Sequence, residues 1–169
     1  MLLAADDLAI RSLHLISAAV WVGGMVFLGL AVGAARGTIG DRERIALFRR
    51  LGRRFLYVGG AAMLVLIATG SDMASDRLAS FGDLLDTAYG KRLAEKLAVV
   101  ILVIALTLFH SLVQGPALSR LRERAVEWPG DAELQAEVRR KAARAGIVSM
   151  LNLLASLTVL VLAARLVTG

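Results

Sequence analysis

Cysteine is absent from the 169-residue chain, which removes disulfides and thiolate metal sites and leaves the redox compartment unread. Histidine occurs twice, at His14 and His110, and neither a His-x-x-x-His nor a Met-x-x-x-Met pair is present. The pattern H-E-x-x-H, a phosphate-binding glycine loop and a Ser-His-Asp constellation are all missing, so a hydrolase reading has no support. The start, Met1-Leu2-Leu3-Ala4-Ala5-Asp6-Asp7, lacks the basic stretch of a cleaved signal peptide, so the first apolar run is expected to stay as a helix. There is no internal repeat, low-complexity tract or composition break that would mark a second domain.

What is abundant is apolar. Hydrophobic residues make up 57% of the chain and charged residues 20%, with a mean hydropathy of +0.68. A soluble domain interleaves these populations at helix or strand period; here they fall in separate blocks. Four stretches are free of Asp, Glu, Lys and Arg: Ser12 to Ala35, Phe55 to Ser71, Leu97 to Ser119 and Ala145 to Ala164. A bilayer core about 30 Å thick needs roughly 20 apolar helical residues to cross it. The expectation is an all-α, polytopic membrane protein with one domain. It is a four-transmembrane-helix bundle with spans at about 8–35, 52–73, 94–118 and 145–167.

The net charge of +6 is unevenly placed. Arg36, Arg42, Arg44, Arg49, Arg50, Arg53 and Arg54 lie between the first two spans. Arg120, Arg122, Arg124, Arg139, Arg140, Lys141 and Arg144 lie between the last two. The middle loop holds Asp72, Asp76, Asp83 and Asp86 against Arg77, with Lys91, Arg92 and Lys96 at its end. By the positive-inside rule the two arginine-rich loops are cytoplasmic and both termini face out, N-out/C-out, in the cytoplasmic membrane. The basic loops then meet anionic headgroups rather than nucleic acid. Leu78, Phe81, Leu84 and Leu85 suit a short amphipathic helix on the outer surface. Trp128-Pro129-Gly130 breaks the second basic loop, and Asp131 is placed to cap a helix running directly into the fourth span.

Polar residues inside spans are expensive in lipid and are functional candidates by default. His14, Ser17, Trp21, Gly24 and Leu28 share one face of the first helix, Lys96, Val103, Thr107, His110 and Gln114 one face of the third, and Ser149, Asn152 and Ser156 one face of the fourth. Helix direction sorts them by depth. His14, Ser17, Lys96 and Asp72 fall at the outer level, and His110, Ser149 and Asn152 at the inner one. His110 is about 21 Å beyond Lys96 along the helix, so the two histidines do not share one metal. Gly29-x-x-x-Gly33, Gly23-Gly24 and Gly59-Gly60 are expected to serve close helix packing, and His110 to bond Asn152 across helices.

These residues also carry a resemblance. Leu13-His14-Leu15 with Trp21-Val22-Gly23-Gly24, then Arg53-Arg54-Phe55 and Thr69-Gly70-Ser71, resemble CopD-like copper-resistance membrane proteins. So does the run Thr87-Ala88-Tyr89-Gly90-Lys91-Arg92-Leu93-Ala94-Glu95-Lys96-Leu97. The resemblance implies copper handling, by transport or homeostasis, across the membrane. CopD-type chains are usually longer, so it implies a homodimer as the working unit. The superfamily also includes HemJ-type protoporphyrinogen oxidases, similar in length, with a histidine seven residues before a tryptophan and a lysine opening a later helix. That likeness implies haem b at His14 and Lys96; the run Phe27 to Gly33 departs from the basic, aromatic HemJ pattern.

Copper would use His14 and His110, with methionines between them, because imidazole and thioether suit it. Packing is the competing role for each methionine. Haem or a porphyrin would use Lys96 for a propionate and His14 as axial ligand, with Trp21 and Gly24 lining a flat pocket. Each residue also has a plain structural role: His14 as a hydrogen-bonding partner, Lys96 as an interfacial snorkeller. The sequence leaves open copper against haem, enzyme against transporter, and both against a non-catalytic membrane scaffold.

Overall fold

The structure is a computed structural model that describes residues 2–75 and 82–168. Helices α1 (Leu2–Ala34), α2 (Asp41–Ser75), α3 (Asp83–Asp86), α4 (Ala88–Leu108), α5 (Gly115–Glu127) and α6 (Ala132–Thr168) account for almost all of it, and a π-helical segment, Phe109–Gln114, joins α4 to α5. No strand occurs among the described residues. Four helical stretches are long and apolar enough to cross a membrane: Asp6–Ala34, Asp41–Ser75, Ala88–Glu127 and Ala132–Leu166. Only 6–17% of the most apolar window of each is buried within the chain. In water that would leave apolar faces far larger than soluble monomers tolerate; in lipid it is the ordinary outward surface. The protein is therefore a multi-pass membrane protein.

The helices run up, down, up and down, which puts both termini at one end and the arginine-rich segments at the other. These are called the terminal end and the basic end below. α1 packs along α2 and α4 along α6, while α1 meets α6 and α2 meets α5 more sparsely. The basic segments are themselves largely helical. α2 begins at Asp41, with Asp41 and Glu43 in its first turn, where acids complement the exposed N–H groups and the helix dipole. At the same end Arg49 Nη1 lies 2.6 Å from Glu123 Oε1, tying α2 to α5.

As the loop sequence suggested, Asp131 Oδ1 accepts the Leu134 N–H at 2.9 Å, and α6 runs unbroken from the basic segment into the fourth span. Leu121, Ala125 and Leu134, with Val138, form a small apolar core that holds α5 on α6. Gln135 Nε2 closes it by donating to the Ala125 carbonyl at 2.9 Å.

The Thr87-x-x-Gly90 part of the third-span motif has a structural role. Thr87 Oγ1 accepts the Gly90 N–H at 2.9 Å and donates to the Asp83 carbonyl at 2.8 Å, so it caps α4 and ties α3 to it. A Cβ on Gly90 would run into the Asp83 carbonyl and stand 2.7 Å from Leu84 Cα; only glycine lets the α3 backbone lie there. Of the short amphipathic helix expected in this loop, the described part is the single turn Asp83–Asp86. Leu78 and Phe81, with Asp76 and Arg77, lie outside the described residues.

The glycine stripes divide. Gly24 and Gly59 meet the Phe55 ring, whereas Cβ atoms on Gly23, Gly29, Gly33 and Gly60 would meet nothing within 4 Å. The Gly29-x-x-x-Gly33 face thus does not pack against another helix of this chain, contrary to the sequence expectation. α1 approaches α2 through Phe55 instead.

Candidate functional site

α1 carries His14 near the terminal end, and antiparallel α2 brings Thr69 to the same level. The imidazole Nδ1 lies 2.7 Å from Thr69 Oγ1. That oxygen also lies 2.7 Å from the Val65 carbonyl, which can only accept, so the hydroxyl proton goes there. The hydroxyl must then accept from the imidazole. In the neutral ring this selects the Nδ1–H tautomer and leaves the Nε2 lone pair free to bind a ligand. A Cβ at Gly70 would touch His14 Cε1 at 3.5 Å, so Thr69 and Gly70 together form the wall behind the ring. Thr69 is buried and His14 half-buried.

Lys96, near the start of α4, is half-buried. The depth argument placed it at the level of His14. Asp72, assigned to the same level, is exposed and forms no ion pair among the described residues.

Seven residues further along α1, Trp21 is 4% exposed. Its Nε1 donates to Ser156 Oγ on α6 at 3.3 Å, and its ring packs on Phe55 of α2 with centroids 5.8 Å apart at 33°. Phe55 lies against Gly24, where a Cβ would overlap the ring edge and stand 2.9 Å from Cδ2. The flat pocket expected along Trp21 and Gly24 is therefore filled by a side chain of the chain itself. Glycine at 24 is needed for a phenyl ring.

A second polar group sits near the middle of the spans. Asn152 Nδ2 on α6 donates to Thr107 Oγ1 on α4 at 3.0 Å and approaches Met25 Sδ on α1 at 3.6 Å. The expected bond from His110 to Asn152 is not made. His110 Nδ1 faces Gln114 Oε1 on its own helix at 3.4 Å, and Ser149 Oγ donates back to the Ala145 carbonyl at 3.0 Å. Thr107, one turn before His110, reaches Asn152 first. His110 itself lies in the π segment, where the Gly115 N–H bonds to the His110 carbonyl. Pro116 explains that widened turn. It has no N–H, and its ring would clash with the carbonyl four residues earlier in a regular α-helix.

His14 and His110 thus have different partners on different elements, and among the described residues no three His, Cys, Asp or Glu side chains gather to hold a metal ion. A groove of about 230 Å³ between α2 and α5 lies at the basic end, lined by Arg42, Arg49, Glu123 and Glu127 among others.

Compared with known protein families, with curated proteins and with solved structures, the chain gives no match. The site rests on its geometry alone.

Two members of the site were read in the sequence only as parts of the motifs that carry the resemblance, without a place beside His14 or Trp21. Thr69 and Phe55 both lie on the stripe Phe55, Gly59, Ala62, Leu66, Thr69, whose spacing of four, three, four and three residues marks one face of α2. That spacing was available as a signal, but nothing along α2 tells which residues of α1 will face it.

Proposed function

We propose that this chain is a CopD-like protein of the cytoplasmic membrane that handles copper as cargo, with His14 Nε2 as the ligand that meets the ion on the outer side. The basic end is the cytoplasmic one, because arginines concentrate there, and it rests against anionic headgroups. The observation that carries the reading is the fixed imidazole. With Nδ1–H committed to Thr69, the ring offers one free nitrogen to a metal and keeps its orientation, the usual arrangement behind a metal-ligating histidine. His110, close to the basic end, is the second imidazole on the ion's route. A chain with four spans works in this reading as a homodimer.

A second reading is kept because of Lys96. An ammonium at the depth of the imidazole repels a cation and suits an anion such as a porphyrin propionate, which supports haem b as the group bound by His14 and Lys96. The fit is incomplete, since Phe55 occupies the face of Trp21 and Gly24 along which a macrocycle would lie. When bound, haem would supply redox chemistry; His14 and Lys96 would hold it at the bundle edge.

Purification from native membranes separates the two. Copper in elemental analysis with no Soret band, and copper content lost in His14→Ala, supports the first reading. A Soret band lost in His14→Ala replaces it with the second. A protein that carries neither leaves a scaffold and defeats both.

A further inference from the structure

Among the described residues the buried polar side chains are Ser17 of α1, Thr69 of α2, and Asn152 and Ser156 of α6. Thr69 is fully committed to His14 and the Val65 carbonyl. The other three are not. Asn152, 7% exposed, gives Nδ2 to Thr107 Oγ1 and Met25 Sδ, while Oδ1, at the other corner of the amide, has no donor among the described residues. Ser156 Oγ accepts from Trp21 Nε1, but its own proton finds no acceptor among them. Ser17, 6% exposed, makes no side-chain hydrogen bond among them either, and Thr107 accepts from Asn152 without passing its proton on. By contrast, Thr69, Ser149 and Thr158 each return theirs to the carbonyl four residues back. Buried polar groups are seldom left unpaired, because the cost of stripping water from them is not recovered.

We propose that Ser17, Ser156, Asn152 and Thr107 hold a file of water that carries protons through the bundle, between the level of His14 and that of His110. The unpaired atoms are of both kinds, hydroxyl protons and an amide lone pair. Water donates and accepts, so it satisfies both; a metal ion or an anion satisfies one kind only. The spacing suits single waters. Asn152 and Ser156 are four residues apart on one face of α6, which sets their Cβ atoms about 5–6 Å apart. Two hydrogen bonds of about 2.8 Å cross that distance. α1 repeats the step, since Ser17 is four residues from Trp21, whose indole marks the level of Ser156. The seam has room for water because α1 meets α6 more sparsely than it packs along α2. His14 lies three residues beyond Ser17, and His110 three beyond Thr107, so an imidazole stands at each end of the file, with Lys96 at the level of the outer one. Polar and ionisable side chains inside spans commonly mark such relays. Each hydroxyl or water releases one proton as it takes up another, so nothing is oxidised and no co-reactant is needed. Asn152 Oδ1 orients the water and carries no proton itself. The route goes beyond either reading of the group bound at His14 and requires neither.

The test is proton flux. The purified full-length protein is reconstituted in liposomes that enclose a pH-sensitive dye, with a chelator present and no added metal, and a potassium gradient with valinomycin drives protons across. Wild type is compared with Asn152→Leu, Ser156→Ala and Ser17→Ala, and with Ser149→Ala as control, because that hydroxyl is already committed to the Ala145 carbonyl. The two other alanine variants remove only a hydroxyl, so they keep the test decisive if leucine at 152 disturbs packing; helical circular dichroism shows which variants keep the bundle. The expected result is flux well above that of protein-free liposomes in the wild type and in Ser149→Ala. Asn152→Leu should slow it by about 10-fold, the effect on a rate of losing one hydrogen bond, and Ser156→Ala and Ser17→Ala should slow it in the same direction. Wild-type flux no faster than that of protein-free liposomes overturns the proposal. So does flux that Asn152→Leu, Ser156→Ala and Ser17→Ala all leave unchanged. Either result leaves the metal reading of His14 standing, since no metal takes part in the assay.

Discussion

Gly24→Ala should damage the bundle through a single contact. The new Cβ would overlap the edge of the Phe55 ring, 2.9 Å from Cδ2 and 3.2 Å from Cζ. Carbon atoms sit comfortably at about 3.5–4.0 Å, so the ring has to withdraw by about 1 Å. It cannot withdraw freely, because its other side packs on Trp21 and a Cβ at Gly59 would already be 3.1 Å from its Cζ. Overfilling a packed interior costs about 1–3 kcal/mol, and part of that is the aromatic pair itself, worth about 0.5–1.5 kcal/mol beyond its area. The measurement is reversible denaturation in mixed micelles, followed by Trp21 fluorescence. Trp128, the other tryptophan, is 67% exposed and is first replaced by phenylalanine. Phe55→Leu should restore room, so Gly24→Ala should cost much less in that background than in the wild type. A Gly24→Ala variant within about 0.5 kcal/mol of its parent, or a cost unchanged by Phe55→Leu, would show that the α1–α2 contact is not made through this ring.

Thr69→Val removes the acceptor for His14 Nδ1. It should lower stability by about 1 kcal/mol and weaken any metal held by His14 by about 10- to 100-fold, read by chelator competition. In a double-mutant cycle, Asn152→Leu and Thr107→Val should show a coupling of about 0.6–1.7 kcal/mol, the range for hydrogen bonds between helices in membranes; no coupling would mean the 3.0 Å contact is not made in lipid. The Arg49 and Glu123 pair is short, but its side chains are 54% and 43% exposed. Glu123→Gln should therefore change stability by no more than about 1 kcal/mol, and less at high salt.

The sequence shows the spans clearly because the signal for them is additive over some twenty residues and hardly depends on neighbours. The Asp131 cap was equally local, needing only Asp131 and the N–H three residues on. Depth could be counted along each helix, which is why Lys96 and His14 were expected at one level. What counting along a helix does not give is rotation about its axis at the resolution of one turn. Asn152 was paired with His110 when its partner is Thr107, three residues away, and Gly24 was given to a ligand when Phe55 fills its face. Pro116 lay inside a span read as one regular helix. Its missing N–H predicts a local fault, but only the backbone shows that the fault is a π turn and that His110 sits within it. Both errors come from contacts between helices, which no single stretch of sequence encodes.

The fixed imidazole at His14 is open to direct measurement by ¹⁵N NMR of histidine-labelled protein, with His110→Asn leaving one histidine in the chain. The account predicts a proton on Nδ1, none on Nε2, and an Nε2 resonance that shifts when Cu⁺ is added while Nδ1 keeps its proton. A ring protonated at Nε2, or an Nε2 signal indifferent to Cu⁺, would contradict it.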